Sequence, residues 1–165
     1  MTNINPEALY NACVAGDAAL VGRLLPAGGT PRNLSGQHFQ CRVQSFKFTP
    51  LMEAAARGHT QIVRMILQRA RNTTVDHVSA IGFTALSMAA QYHHAGVLRV
   101  LADHGANVHF ATGRGDTALG LAVRKVPLDG RPRDPDPDGT RTFTTVRALH
   151  QLGAGTSRPP PLRAF

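Results

Sequence analysis

The chain has 165 residues, of which 42% are hydrophobic, so it can bury one core and a single domain is predicted. No apolar run approaches the roughly 20 residues that a membrane-spanning helix needs. The N-terminal residues lack the pattern of a secretory signal, and two cysteines are too few for a disulfide framework. These features predict a cytoplasmic protein, or one delivered into another cell without a cleavable signal.

The charge is strongly basic, with 18 Lys and Arg residues against 10 Asp and Glu residues and a formal net charge of +8. Lys47 and Lys125 are the two lysines, so nearly all of the positive charge is carried by arginine. The joint excess of Arg, Ala, Gly and Pro is typical of GC-rich codon usage and predicts a bacterial source. Because guanidinium groups pair with carboxylates and phosphates, the partner is predicted to be an acidic protein surface or a nucleic acid.

The first predicted helix pair spans residues 7–25, and the second begins at Thr49. The Thr49 hydroxyl can cap a helix, and Pro50 suits the first helical position because its missing N–H would have no partner there. Gly58 can end that helix in the left-handed conformation, and a second apolar stripe follows at 62–67. Helices of about eight and ten residues are too short to persist alone. The pair must therefore pack against neighbouring pairs.

The same unit recurs along the chain, at GFTALSMAAQYHHAGVLRVLADHGANV (82–108) and at GDTALGLAVRK (115–125). Leu51 and Leu86 are 35 residues apart, and Leu86 and Leu119 are 33 apart. TPLMEAAARGHTQIV and HGANV resemble the pattern of the ankyrin repeat family, in which each unit is a helix pair preceded by a loop finger. The resemblance implies an all-α solenoid of stacked antiparallel helix pairs with loop or β-hairpin fingers.

On this resemblance the ankyrin repeat domain spans residues 1–155. Its four repeats are predicted at 7–29, 47–79, 82–112 and 115–155, with insertions at about 30–46 and 126–140, and residues 156–165 form a Pro-rich mobile tail. The histidine that the family places in the first helix is replaced by Tyr10, Met52, Ser87 and Gly120, so its usual links between repeats are expected to be lost.

The resemblance also implies a concave binding face made of the fingers and the ends of the first helices. The implied contact residues are Phe46, Phe48, Arg57, Ile81, Phe83, Gln91, Tyr92, Arg114, Asp116, Arg124 and Lys125. Aromatic and arginine side chains are typical of interface hot spots, and an exposed Phe needs a reason to be exposed. The alternative interpretation is that Phe48 and Phe83 pack along the bases of the fingers.

Other short motifs have an ordinary explanation. Asp134, Asp136 and Asp138 match half of a calcium-binding loop, but the twelfth position is a Thr where a bidentate Glu is expected, so a solvated turn is favoured. The tripeptide at 114–116, which some adhesion receptors bind, fills a finger, and RPPPLR at 158–163 is an incomplete ligand for SH3-type domains. The histidines of 93–109 do not predict a metal site.

No motif for catalysis is present, and we predict a chain that is not an enzyme and has no cofactor and no metal. The predicted function is a protein–protein interaction module that binds an acidic partner through its concave face and fingers, as an adaptor or inhibitor. A bacterial immunity protein that neutralises a toxin and a host-directed effector are alternatives within this class. A nucleic-acid-binding protein is the less favoured alternative, because aromatic residues make up 5% of the chain and no base-reading motif is recognisable. A monomer is favoured, with no membrane partner.

Overall fold

The computed structural model describes residues 6–25, 48–69, 74–124 and 135–155. Within these ranges the chain forms eight helices that pair in chain order. They are α1 (Pro6–Ala15), α2 (Ala18–Leu24), α3 (Pro50–Ala56), α4 (Thr60–Arg69), α5 (Ala85–Gln91), α6 (Ala95–Asp103), α7 (Ala118–Val123) and α8 (Thr140–Gln151). The predicted all-α solenoid is confirmed.

The helices form two layers. The inner layer consists of α1, α3, α5 and α7, and the outer layer consists of α2, α4, α6 and α8; within each layer every helix packs against the next, and each inner helix also packs against its outer partner. The core lies between the layers, where Leu9, Met52, Leu86 and Leu121 are each at most 1% exposed. Burial of these apolar side chains against neighbouring pairs stabilises helices that are too short to persist alone.

Three inner helices begin in the same way, with a threonine cap at Thr49, Thr84 and Thr117. Each hydroxyl oxygen accepts a hydrogen bond from a backbone N–H three residues later, at N–O distances of 3.2, 3.2 and 3.3 Å. The cap satisfies one of the amide groups that a helix N-terminus leaves without a partner. Pro50 occupies the first helical turn as predicted.

The turn between the helices of a pair carries a glycine that the next pair covers with a histidine. Gly16 and Gly58 have φ of +76° and +75°, which L-residues with a side chain rarely adopt. A Cβ atom on Gly16 would lie 2.7 Å from Cε1 of His59, and one on Gly58 would lie 2.5 Å from Nδ1 of His94. Glycine is therefore required twice, by the backbone angle and by the imidazole of the following pair.

In the third pair the large residue is in the turn and the smaller residue is in the following pair. His93 occupies the glycine position with φ of +63°, and the position that faces it in the fourth pair is Thr142. The His93 ring is buried, and its Nε2 lies 3.4 Å from the Thr142 hydroxyl oxygen. A large residue in the turn is thus accommodated by a small one in the next pair. The left-handed angle at a residue with a Cβ remains a local strain.

Side chains other than the missing first-helix histidine link adjacent pairs. The Tyr10 hydroxyl donates to Oε2 of Glu53 at 3.3 Å. One guanidinium nitrogen of Arg69 donates to the carbonyls of Gly22 and Leu25, at 3.1 and 2.9 Å. The links that the sequence predicted to be lost are therefore replaced by different groups, which satisfy C-terminal carbonyls of α2 and a buried carboxylate.

The fourth pair contains a polar residue in the core. Thr145 stands on α8 at the position that Val97 occupies on α6 and Ile62 on α4. It is fully buried, and within the described residues its hydroxyl has no hydrogen-bond partner. A buried hydroxyl without a partner keeps its desolvation cost. This cost falls on the core of the fourth pair.

Candidate protein-binding surface

Two finger turns precede α5 and α7, at residues 79–83 and 112–116, and they have the same backbone geometry. The N–H of Ser79 donates to the carbonyl of Phe83 at 2.8 Å, and the N–H of Thr112 donates to the carbonyl of Asp116 at 2.9 Å. In each turn a glycine with positive φ, Gly82 or Gly115, closes the tip. The fingers are repeated units rather than irregular loops.

The two fingers lie against each other. A Cβ atom placed on Gly82 would be 2.5 Å from the backbone nitrogen of Gly113. Arg114 is exposed, whereas Ile81 is partly buried against the core cluster. These two side chains occupy equivalent tip positions of the two fingers.

Phe48 and Phe83 do not belong to that surface, so their interpretation as exposed contact residues is wrong. They are 0% and 2% exposed and belong to the hydrophobic core. Each stands directly before a helix-capping threonine, where the side chain enters the space between adjacent pairs. The alternative interpretation, packing at the base of the fingers, is the one that the structure supports.

Gln91 is also wrongly predicted as a contact residue, because it is 0% exposed at the end of α5. All residues of α3 and α5 are buried. The accessible surface at these two helices therefore begins with the residues that follow them, Arg57 and Tyr92. Tyr92 is half-buried and packs against the core cluster. Phe46 and Lys125 lie outside the described residues.

Arg57 neutralises a buried carboxylate. Its Nε donates to Oε1 of Glu53 at 3.0 Å, and Glu53, whose side chain is 1% exposed, also accepts from the Tyr10 hydroxyl. A buried charge is tolerated only when it is paired, so Arg57 has a structural task. Sequence reasoning missed Glu53; the signal was its position four residues before an arginine inside an otherwise apolar helix.

Arg124 is likewise paired inside the chain. One of its terminal nitrogens lies 2.9 Å from Oδ1 of Asp116. The pair joins the residue that follows α7 to the finger that precedes it. Because this pair is exposed, it adds little to stability. It nevertheless cancels the charge that Arg124 and Asp116 were each predicted to present. Arg114, in contrast, is exposed at the finger tip and forms no ion pair within the described residues.

The aspartates at 136 and 138 hold the start of α8. Oδ2 of Asp136 accepts from the backbone N–H and the hydroxyl of Thr142, both at 2.8 Å, and its Oδ1 accepts from the N–H of Arg141 at 3.1 Å. The Thr142 N–H is the main cause that lowers the pKa of Asp136 to about 2. Hydrogen bonds from Thr140 lower the pKa of Asp138. Asp134 lies outside the described residues.

Cys13 is a free cysteine buried in the core. Burial, and secondarily the nearby charge of Glu53, raises the pKa of the Cys13 thiol to about 12. A thiol with such a pKa stays protonated and is not a nucleophile. Within the described ranges no group of three or more His, Cys, Asp or Glu side chains could hold a metal ion. None of the described helices has the length and apolar character to cross a membrane.

Comparison with known families agrees with this architecture. The family model described as Ankyrin repeat matches residues 46–78 and 81–113, which cover the second and third helix pairs and part of each finger. Ankyrin repeats are protein–protein interaction modules, and the family is typically non-enzymatic. Residues 46–78 and 81–113 therefore form two consecutive ankyrin repeats.

Proposed function

We propose that the chain is a non-enzymatic binding module that grips a partner protein with its finger tips and the ends of its inner helices. The observation that supports this most is the pair of matching fingers, which present Ile81 and Arg114 at equivalent tips 33 residues apart. An apolar side chain and an arginine on adjacent rigid turns are the kind of pair that forms interface hot spots. Tyr92, at the end of α5, extends this surface with an aromatic ring.

The partner is proposed to be an acidic protein, because the chain carries a net charge of +8. The chain would act in the cytoplasm as an adaptor or an inhibitor, and neutralising a toxin is one form of inhibition. Residues 30–46, which lie outside the described residues, are proposed to extend the contact surface beside the fingers. We further propose that the helix pairs α1/α2 and α7/α8 are divergent repeats at the two ends of a domain that spans 1–155.

Nucleic acid is the less favoured partner of this surface. Within the inner helices no basic residue is present, and the flanking Arg57 and Arg124 are already paired with carboxylates. Affinity for nucleic acid grows with the number of phosphates that cations neutralise, and each one adds roughly 0.7 to 0.9 to the slope of log affinity against log salt concentration. Tight binding therefore depends on several unpaired cations. The described fingers offer one such cation, Arg114.

The test is co-purification of partners from the native source with two chain variants. Ile81→Asp combined with Arg114→Glu changes both tips, while Ala19→Glu, on the exposed side of α2, adds a negative charge elsewhere. We expect the wild type and Ala19→Glu to retain a protein that the tip variant loses. Retention of the same protein by the tip variant, or capture that nuclease treatment abolishes, would contradict the proposal.

A further inference from the structure

The arginines of the described helices all lie on the outer layer. Helices α4, α6 and α8 contain five arginines and one acidic residue, Asp103, whereas α1, α3, α5 and α7 contain two glutamates and no basic residue. The two layers therefore differ in sign. The outer layer therefore offers an anionic partner a surface in addition to the finger side.

Three of these arginines stand in register. Arg64, Arg99 and Arg147 occupy the same repeat position, and all three are exposed. They directly follow the residue pairs 62–63, 97–98 and 145–146. Because α4 packs on α6 and α6 on α8, and packed helices lie about 8–10 Å apart, they form a row with roughly that spacing. We call this set the arginine row.

No carboxylate neutralises the row within the described residues. Arg99 donates to Oε1 of Gln151 at 3.4 Å, which leaves its charge in place. Neutral exposed side chains surround the row, among them Gln61, Gln68 and Thr144; Asp103, exposed four residues after Arg99, forms no ion pair with it. Such a row differs from a surface of mixed charges, on which each cation has an anion beside it.

The end of the row carries an exposed aromatic ring. Phe143 is 67% exposed on α8 and stands four residues before Arg147, so the two side chains are neighbours on one face of the helix. Arginine and aromatic side chains are enriched at the centres of protein interfaces. The row and Phe143 together offer both a charged and an apolar anchor.

We propose that the arginine row and Phe143 form a second docking surface, which binds an acidic helical segment of a partner protein. In a helix that rises about 1.5 Å per residue, carboxylates seven residues apart lie about 10.5 Å apart, close to the spacing of the row. Such a segment lying across α4, α6 and α8 places one carboxylate against each guanidinium, where a fork-to-fork contact forms. This surface is separate from the fingers and does not depend on their role.

A nucleic acid fits the row less well. Three phosphate contacts give a log–log salt slope of only about 2 to 3, far below what tight binding through the backbone requires. Binding of single strands relies on aromatic side chains on which successive bases stack, and the row has one such ring. The acidic protein segment is therefore the occupant that the charges and the spacing favour.

The proposal is tested with the full chain and two synthetic helical peptides labelled for fluorescence anisotropy. One peptide carries three glutamates seven residues apart and a leucine to meet Phe143; the other has the same composition with the glutamates adjacent. We expect the spaced peptide to bind more tightly. The combined variant Arg64→Glu, Arg99→Glu and Arg147→Glu is expected to weaken its binding by about tenfold or more, since three exposed ion pairs are lost.

Arg23→Glu is the matched control, because it reverses one exposed arginine on α2, outside the row, and should change the affinity by less than about twofold. Circular dichroism verifies that the triple variant remains folded, as expected for exposed positions. Equal binding of the two peptides, an equal loss in Arg23→Glu, or tighter binding of a mixed-sequence DNA duplex at physiological salt would overturn the proposal.

Discussion

The two middle helix pairs, α3 to α6, and the fourth pair, α7 and α8, follow the same plan with different means. In the middle pairs every residue of α3 and α5 is buried, the glycine turn of the second pair is covered by a histidine, and Phe48 and Phe83 are buried directly before the helix caps. In the fourth pair, α7 has six residues and ends at Val123, which is 60% exposed. The fourth pair is held by substitutions that compensate one another, and it should be the weaker part of the stack.

Val123 illustrates the difference. It stands at the position that Cys13, Ala55 and Ala90 fill in the other three pairs, where the side chains are buried completely. Within the described residues no further helix pair follows α8 that could cover this position. A solenoid buries each repeat against its neighbours, so an end repeat keeps apolar surface exposed.

The largest expected effect comes from the base of the middle fingers. Phe83→Ala removes a buried ring and should lower the free energy of unfolding by about 3–5 kcal/mol, measured by urea denaturation. The matched change in the fourth pair is Asp116→Ala, which removes an exposed ion pair and should cost about 1 kcal/mol or less. A similar cost for both would mean that the two fingers are built alike.

The next effect comes from the glycine turn of the second pair. In Gly58→Ala the backbone keeps a left-handed angle that costs about 1–3 kcal/mol for a residue with a Cβ, and the methyl group displaces the His94 ring. That ring contacts the carbonyl of Ala56 through Nε2 at 2.9 Å, so the link between pairs is disturbed as well.

Gly113→Ala is the control for this change. A Cβ atom at Gly113 meets nothing within 4 Å, and its φ is not in the left-handed range. Its stability should stay within about 0.5 kcal/mol of the wild type. Thermal unfolding that shifts equally in the two variants would refute the claim that turn angle and histidine cover explain the middle turn.

Thr145→Val is expected to stabilise the chain by about 1 kcal/mol. It replaces a buried hydroxyl that has no partner with a methyl group of similar size, in a position where the other pairs carry aliphatic residues. Thr144→Val is the control, since that residue is exposed and its hydroxyl donates to the carbonyl of Thr140 at 2.8 Å. A destabilised Thr145→Val would show that the hydroxyl has a function in the fold.

The smallest effect concerns acid. The folded-state pKa of Asp136 is about 2, below its ordinary value of 3.8, so its contribution to stability is present above about pH 4 and is lost as the pH falls towards 2. The loss should appear as fraying of α8, because Asp136 accepts from the first amides of that helix. Asp136→Asn should flatten this part of the pH profile, and Asp103→Asn at the end of α6 should leave it unchanged.

The sequence predicted the parts of the fold that depend on spacing. The helix pairs, the threonine caps and the glycine turns all follow from residues within one repeat, where local chemistry decides the conformation. The sequence left open whether Phe48 and Phe83 are buried or exposed, because their burial depends on how closely neighbouring repeats approach. For the same reason the buried Glu53, paired with Arg57 and Tyr10, was missed.

The exchange of His93 and Thr142 was also beyond the sequence pattern. A histidine at a glycine position is a departure in one repeat, and its compensation lies 49 residues further along the chain. Similarly, the net charge was visible in the composition, but the side of the molecule that carries it depends on which arginines pair with carboxylates. Pairing between residues in different elements is a tertiary property.

Native-state hydrogen exchange tests the comparison between the pairs most directly. The amides of α3 and α5 should exchange slowest, and those of α8 should exchange faster than those of α4 and α6, because α8 packs on one neighbouring pair through a core that contains Thr145. Thr145→Val should slow the exchange of α8 selectively. Protection of α8 equal to that of α3 in the wild type would contradict the account of a strong middle and a weaker fourth pair.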